Sequence, residues 1–95
     1  MNKMDIQNTL QQQKQYLRDS FYVDRIGLFG SFLRDEQTAD SDIDLLVEFS
    51  KPVGFEFIEL KEYLEGVFGK LVDLVTPNAL RPFMKDNIIS EVQFQ

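Results

Sequence analysis

Hydrophobic residues recur along the chain with two different periods, and the changes of period mark its elements. Between about Asp5 and Ser20, Ile6, Leu10 and Leu17 fall near one face of a helix, with Asp5 at its N-terminal end to cap or charge it and a Gln-rich face left to solvent. The β-prone run Val23–Phe29 follows and stops at Gly30-Ser31, after which SFLRDE has length for one or two helical turns. Beyond the polar stretch from Glu36 to Ser41, DIDLLVEF alternates, with Ile43, Leu45, Val47 and Phe49 on one face. Asp42, Asp44, Leu46 and Glu48 share the other. Pro52 and Gly54 break the chain before FEFIELKEYLEGVFG, where Leu60, Tyr63, Leu64, Val67 and Phe68 repeat at helical spacing and Gly69 marks the stop. Lys70–Thr76 predicts a third strand, and Pro77-Asn78 opens a last helical stretch over about Ala79–Asp86. The tail IISEVQF fits either a short edge strand or a helix.

Strands alternating with helices in 95 residues predict one α/β (α+β) domain over residues 1–95, a small mixed β-sheet with helices packed on one or both faces. No internal repeat or low-complexity linker divides it. No stretch approaches the roughly 18–20 apolar residues of a membrane span, and the N-terminus lacks the apolar core of a signal peptide. The expectation is a cytoplasmic protein without a membrane partner.

Composition narrows the chemistry. With no Cys and no His, disulfide scaffolds, thiol nucleophiles, the usual zinc sites and His-based triads are excluded, so any metal must be held by oxygen. A net charge of −6 argues against a sequence-independent grip on nucleic acid. The acidity is concentrated: from Asp35 to Glu65 there are ten acids against two bases, and elsewhere six against eight.

Within that acidic middle, Asp42 and Asp44 lie on one strand face with Cα atoms about 6.6 Å apart, close enough to reach one cation. Left ionised together they repel, unless a divalent ion or a base compensates; the bland alternative is a solvated strand end. Asp73 interrupts the apolar run LVDLV, where a buried polar group would demand a partner. If its strand lies beside DIDLLVEF, Asp73 joins Asp42 and Asp44 in a three-carboxylate metal site; otherwise it sits on the wet face of an edge strand. Gly30-Ser31, between a strand and a helix start, offers backbone amides and a hydroxyl to phosphate, although such a pair is most often a turn and cap. Arg34, one turn on, either assists phosphate binding or forms a surface ion pair.

Other templates fit worse. A calcium loop beginning at Asp40 would carry Leu45 where Gly is needed and Lys51 where Glu is needed, and GSFLRDE lacks the ending of a P-loop. An aspartyl phosphatase would place its acids after an apolar strand, and a glycosidase pair needs a deeper cleft than so small a chain can frame.

The combination LFGSFLRDEQTADSDIDLLVEF resembles the signature of the polymerase-β-like nucleotidyltransferases: Gly-Ser, a spacer of ten residues, then Asp-x-Asp. Together with the later strand Asp, it is most similar to the minimal nucleotidyltransferases, the MntA-like antitoxins paired with HEPN-domain toxins. The resemblance runs from about Val23 through Asp73 to the tail. It implies the polymerase-β-like fold, a triphosphate held by Gly30 and Ser31, Mg²⁺ bound by Asp42 and Asp44, and Asp73 helping to hold metal and activate an acceptor hydroxyl. It further implies transfer of AMP from ATP to a tyrosine of a HEPN toxin. The toxin itself is not this chain, because the HEPN ribonuclease motif uses a His. One position departs: the family often reads Gly-Ser-x-x-Arg-Gly, and Asp35 stands where that last Gly would be. An acid beside a phosphate turn suggests the alternative of a degenerate module that neutralises its partner by contact alone.

Overall fold

The Asn2 side chain accepts a hydrogen bond from the Asp5 backbone N–H, and the Asp5 carboxylate accepts from the Asn2 N–H, each at 3.0 Å. This reciprocal cap starts helix α1 (Lys3–Phe21), so the cap is Asn2 and Asp5 is its partner one turn in. The structure, a computed structural model, describes residues 1–95. After α1 come strand β1 (Val23–Phe29), the short helix α2 (Gly30–Leu33), strand β2 (Ile43–Phe49), helix α3 (Phe55–Phe68), strand β3 (Val72–Val75), a 3₁₀ turn (Pro77–Ala79), helix α4 (Pro82–Glu91) and strand β4 (Gln93–Phe94).

The four strands form one mixed sheet in the order β3-β2-β1-β4. β1 runs antiparallel to β2 and β4, whereas β2 and β3, joined through α3, are parallel. The alternation in β2 sorts its two faces. Ile43, Leu45 and Val47 join Ile26, Leu28, Val72 and Leu74 beneath Ile6, Leu10 and Leu17 of α1 and Leu60, Leu64 and Phe68 of α3. An irregularity in the β1–β2 register between Val23 and Arg25 returns Val23 and Ile26 to the same buried face despite their odd spacing. The opposite face carries a smaller cluster in which Ile88 of α4 packs on Phe29 and Leu46. No helix is long and apolar enough to cross a membrane.

Three sequence expectations shift. Val67, expected on the buried face of α3, is exposed, because Leu60, Leu64 and Phe68 at i, i+4 and i+8 already define the contact stripe. Pro77-Asn78 opens only a 3₁₀ turn, and the last helix begins instead at Pro82. Pro82 holds the residue before it extended, as Arg81 shows with ψ 142°, and itself takes the first helical position. The tail is both of the alternatives in succession, helix to Glu91 and then an edge strand. Gly69 ends α3 in the left-handed conformation, as its position suggests.

The last strand reaches the sheet only because β1 has no side chain at Gly27. A Cβ there would lie 2.6 Å from the Gln93 carbonyl oxygen and 2.8 Å from Val92 Cγ2. Gly27→Ala is therefore expected to push β4 off β1 and cost about 1–3 kcal/mol. Urea denaturation measures the cost, and faster exchange of the Gln95 amide, which donates to the Ile26 carbonyl, reports the displacement. An unchanged midpoint with an unchanged Gln95 amide would contradict the packing.

Candidate active site

Strand register assembles the site. Phe29, the last residue of β1, lies opposite Asp44, so the chain leaves β1 at Gly30 beside the start of β2. On the other side of β2, the parallel register sets Asp73 directly opposite Asp44. Side chains opposite each other in neighbouring strands share a face. The turn residues Gly30 and Ser31 and the acids Asp44 and Asp73 are thus brought to one end of the sheet, with Asp42 exposed one residue before β2 begins.

Gly30 is required twice over. Its φ is +78°, a conformation that L side chains rarely adopt, and a Cβ on it would fall onto the Asp44 carboxylate, 2.8 Å from Cγ. The Asp44 side chain therefore rests against the Gly-Ser backbone itself. Asp44 is half-buried, and its pKa is pushed up from 3.8 to about 6 by burial first, then by the charges of Asp73 and Asp42. The Arg34 charge and a hydrogen bond from the Ser31 backbone pull it down, and lose.

Asp73 lies on the wet face of an edge strand, β3, and the strand beside it is nevertheless the one that carries Asp44. The three carboxylates interact without converging into a closed three-ligand cluster. Their hard oxygen donors and mutual repulsion suit a divalent cation such as Mg²⁺, which takes few protein carboxylates and keeps its remaining positions for water and phosphate.

Arg34 is engaged in ion pairs, its Nε 2.6 Å from Glu36 Oε1 and its Nη1 2.7 Å from Glu91 Oε1. The same Glu91 oxygen accepts the Gly30 backbone N–H at 3.0 Å. Glu91 was not marked out by the sequence: it is a lone acid in a tail of ambiguous structure, and only the folding back of α4 brings it to the turn.

Asp35 has a backbone explanation. The N–H of Asp35 donates to the Phe32 carbonyl and that of Glu36 to the Ser31 carbonyl, the bonding pattern that ends a helix with one left-handed residue. Asp35 is that residue, at φ 57°. Glycine is the favoured occupant there, and Asp is among the few others that tolerate it. Its exposed carboxylate points to Lys3 Nζ, 3.5 Å away.

A cleft of about 570 Å³ lined by Val47–Val53 and Thr76–Asn78 opens at the far end of β2, away from these groups.

The chain is similar to known proteins in sequence and in fold. A family model described as a nucleotidyltransferase domain matches residues 10–94. The protein adenylyltransferase MntA of Thermococcus cleftensis is 42% identical over 91 residues, which span 95% of this chain and 92% of that one. A solved structure provisionally described as a minimal nucleotidyltransferase superposes with a TM-score of 0.81 at 30% identity, covering 98% of this chain and 95% of that one. The structure of a tri-AMPylated Shewanella oneidensis HEPN toxin in complex with MNT antitoxin contains a chain of the same fold, with a TM-score of 0.64 at 20% identity, covering 93% of this chain and 70% of that one.

The raised pKa of Asp44 has a stability consequence of definite sign. A carboxylate whose pKa is higher folded than unfolded lends stability that is complete below about pH 4 and is lost as pH rises through about 6. Asp44→Asn removes that loss while keeping an acceptor oxygen. The substitution is expected to stabilise the metal-free protein at pH 7.5 by about 1 kcal/mol once solvent screening is allowed for. In a chain of this size that amounts to roughly 4–8 °C in Tm. Melts followed by circular dichroism should show the gap closing towards pH 4, and a less stable variant at pH 7.5 would contradict the burial of this charge.

Proposed function

The chain belongs to the nucleotidyltransferase domain family, and from that premise we propose that it transfers AMP from ATP to a hydroxyl, a tyrosine of a partner HEPN toxin, and so acts as an antitoxin. The observation that carries this reading is the Asp44 carboxylate, pressed against the Gly30-Ser31 turn and raised in pKa by burial and by Asp73 and Asp42. Such a site concentrates negative charge beside a phosphate-binding turn, and a divalent cation relieves it. Asp42, Asp44 and Asp73 would hold Mg²⁺, which when bound neutralises charge on the phosphoryl oxygens and steadies attacking and leaving groups.

The chain's own groups supply the rest. The Gly30 amide and the Ser31 hydroxyl hold the triphosphate, with Arg34 adding a charged donor on the same side and the Ser31 amide holding Asp44. Asp73, exposed at the sheet edge, faces the side from which an acceptor arrives and takes the proton from the attacking hydroxyl. The acceptor oxygen bonds to the α-phosphorus, the bond from that phosphorus to the oxygen bridging to the β-phosphate breaks, and pyrophosphate leaves. Positioning and charge neutralisation dominate such a transfer, so the placement of the carboxylates matters more than any one proton transfer.

A protein acceptor fits the shape of the site. Asp42 and Asp73 lie open at the surface, and the chain's largest cleft lies elsewhere, which leaves the acceptor's own surface to complete the enclosure. The names of the relatives agree: one is a protein adenylyltransferase, and a structural neighbour holds an AMPylated HEPN toxin. The contact-only alternative rested on Asp35. The left-handed backbone at that position gives Asp35 a structural reason, and its carboxylate lies against Lys3, so the departure is not by itself a mark of a degenerate site.

The test is incubation with α-labelled ATP, Mg²⁺ and the copurified partner. Label is expected on a partner tyrosine, reduced by at least about a hundredfold in Asp44→Asn and abolished by a chelator. Undiminished transfer by Asp44→Asn would overturn the assignment of the site. A toxin neutralised without any label would favour silencing by contact.

A further inference from the structure

Glu91 occupies two donors at the Gly30 turn. One of its carboxylate oxygens accepts both the Gly30 backbone N–H, at 3.0 Å, and Arg34 Nη1, at 2.7 Å. An amide at a glycine turn and a guanidinium are the donor types that recognise phosphate, and a carboxylate satisfies them by the same chemistry. We propose that Glu91 is an internal competitor for the nucleotide's phosphates, and that binding of the triphosphate displaces it and loosens the C-terminal segment. This inference rests on the nucleotide-binding reading given above.

The way the tail is held favours such an exchange. Glu91 is the last residue of α4, and the β4 strand that follows it has two residues, paired to β1 through Gly27–Phe94 and Leu28–Gln93. Further anchors are the packing of Val92 and Phe94 against the Phe29, Leu46 and Ile88 cluster, the stacking of Arg25 on the Phe94 ring at 3.9 Å, the Gln95 N–H on the Ile26 carbonyl and a Gln7–Gln93 side-chain hydrogen bond. Two-residue pairing at a sheet edge, with partly exposed hydrogen bonds, belongs to the less stable parts of a fold, which open locally before the core does. Ile88, by contrast, is buried against Phe29 and Leu46, so α4 stays seated there while the Glu91 side chain and the residues after it yield. The exchange also frees Arg34: Glu36 retains its own contact at Nε, and only the Nη1 donor and the Gly30 amide change hands.

A competitor and a structural prop respond oppositely to the loss of charge alone. Glu91→Gln keeps an oxygen to accept both donors but gives up the charge that makes those hydrogen bonds strong. Binding of α,β-methylene-ATP with Mg²⁺, measured by titration calorimetry, is expected to be about three- to tenfold tighter in Glu91→Gln than in the unaltered protein. In amide NMR spectra of the unaltered protein, the same ligand is expected to move the Gly30, Gln93 and Gln95 resonances together. That measurement needs no variant and stands even if Glu91→Gln folds poorly. Equal or weaker binding by a folded Glu91→Gln, or a shift of Gly30 with Gln93 and Gln95 unmoved, would overturn the competition while leaving nucleotide binding intact. If neither protein binds the ligand, the nucleotide reading fails and the competition fails with it.

Discussion

The contact between the Asp44 carboxylate and the Gly30 backbone is the constraint on which the rest of the site depends. It exists because β1 ends opposite the start of β2, so the turn leaving one strand meets the acid entering the other. No side chain fits between them, since a Cβ at Gly30 would occupy the place of the carboxylate. A glycine turn with free backbone geometry and a carboxylate under electrostatic strain are joined in this way in direct contact. The cost is borne by Asp44, half-buried among like charges and pushed up to about 6.

β2 carries both the stability and the chemistry of the fold on its two faces. Ile43, Leu45 and Val47 are fully buried beneath α1 and α3, anchoring the strand by apolar burial in addition to its pairing with β1 and β3. With that side secured, the other face can hold Asp44 in an unfavourable electrostatic environment without losing the strand. The high acidity of the chain's middle has more than one source. Asp42 and Asp44 belong to the site, Glu48 pairs with Arg25, Glu59 and Glu62 lie on the solvated face of α3, and Glu65 accepts the Val72 N–H to tie α3 to β3.

Local backbone demands explain features that look chemical in the sequence. The short helix after Gly30 ends on a left-handed residue, and Asp35 meets that demand with its carboxylate turned towards Lys3. Gly27 likewise has no chemistry of its own; it clears space for the backbone of β4. Through β4 and α4 the C-terminus reaches the phosphate turn, so a segment remote in sequence takes part in the electrostatics of the site.

Much was legible from periodicity because it is local. The alternation over Ile43–Phe49 fixes which residues of β2 face the core, and the bounds of β1 follow from its β-prone run and the glycine after it. The helical spacing of Ile6, Leu10 and Leu17, and of Leu60, Leu64 and Phe68, names the apolar stripes of α1 and α3. The motif Gly30-Ser31 with Asp42 and Asp44 was likewise readable, because a strand followed by a glycine turn and a strand opened by paired acids are short-range patterns. Only the tertiary structure decided that Asp73 sits beside Asp44, since strand order and parallel register arise from pairing between segments about thirty residues apart. The same holds for Glu91, which meets Gly30 across sixty-one positions. Periodicity describes how a segment presents its faces; which segments then meet is settled by burying those faces together, and a charge brought in by that packing leaves no mark on the local pattern.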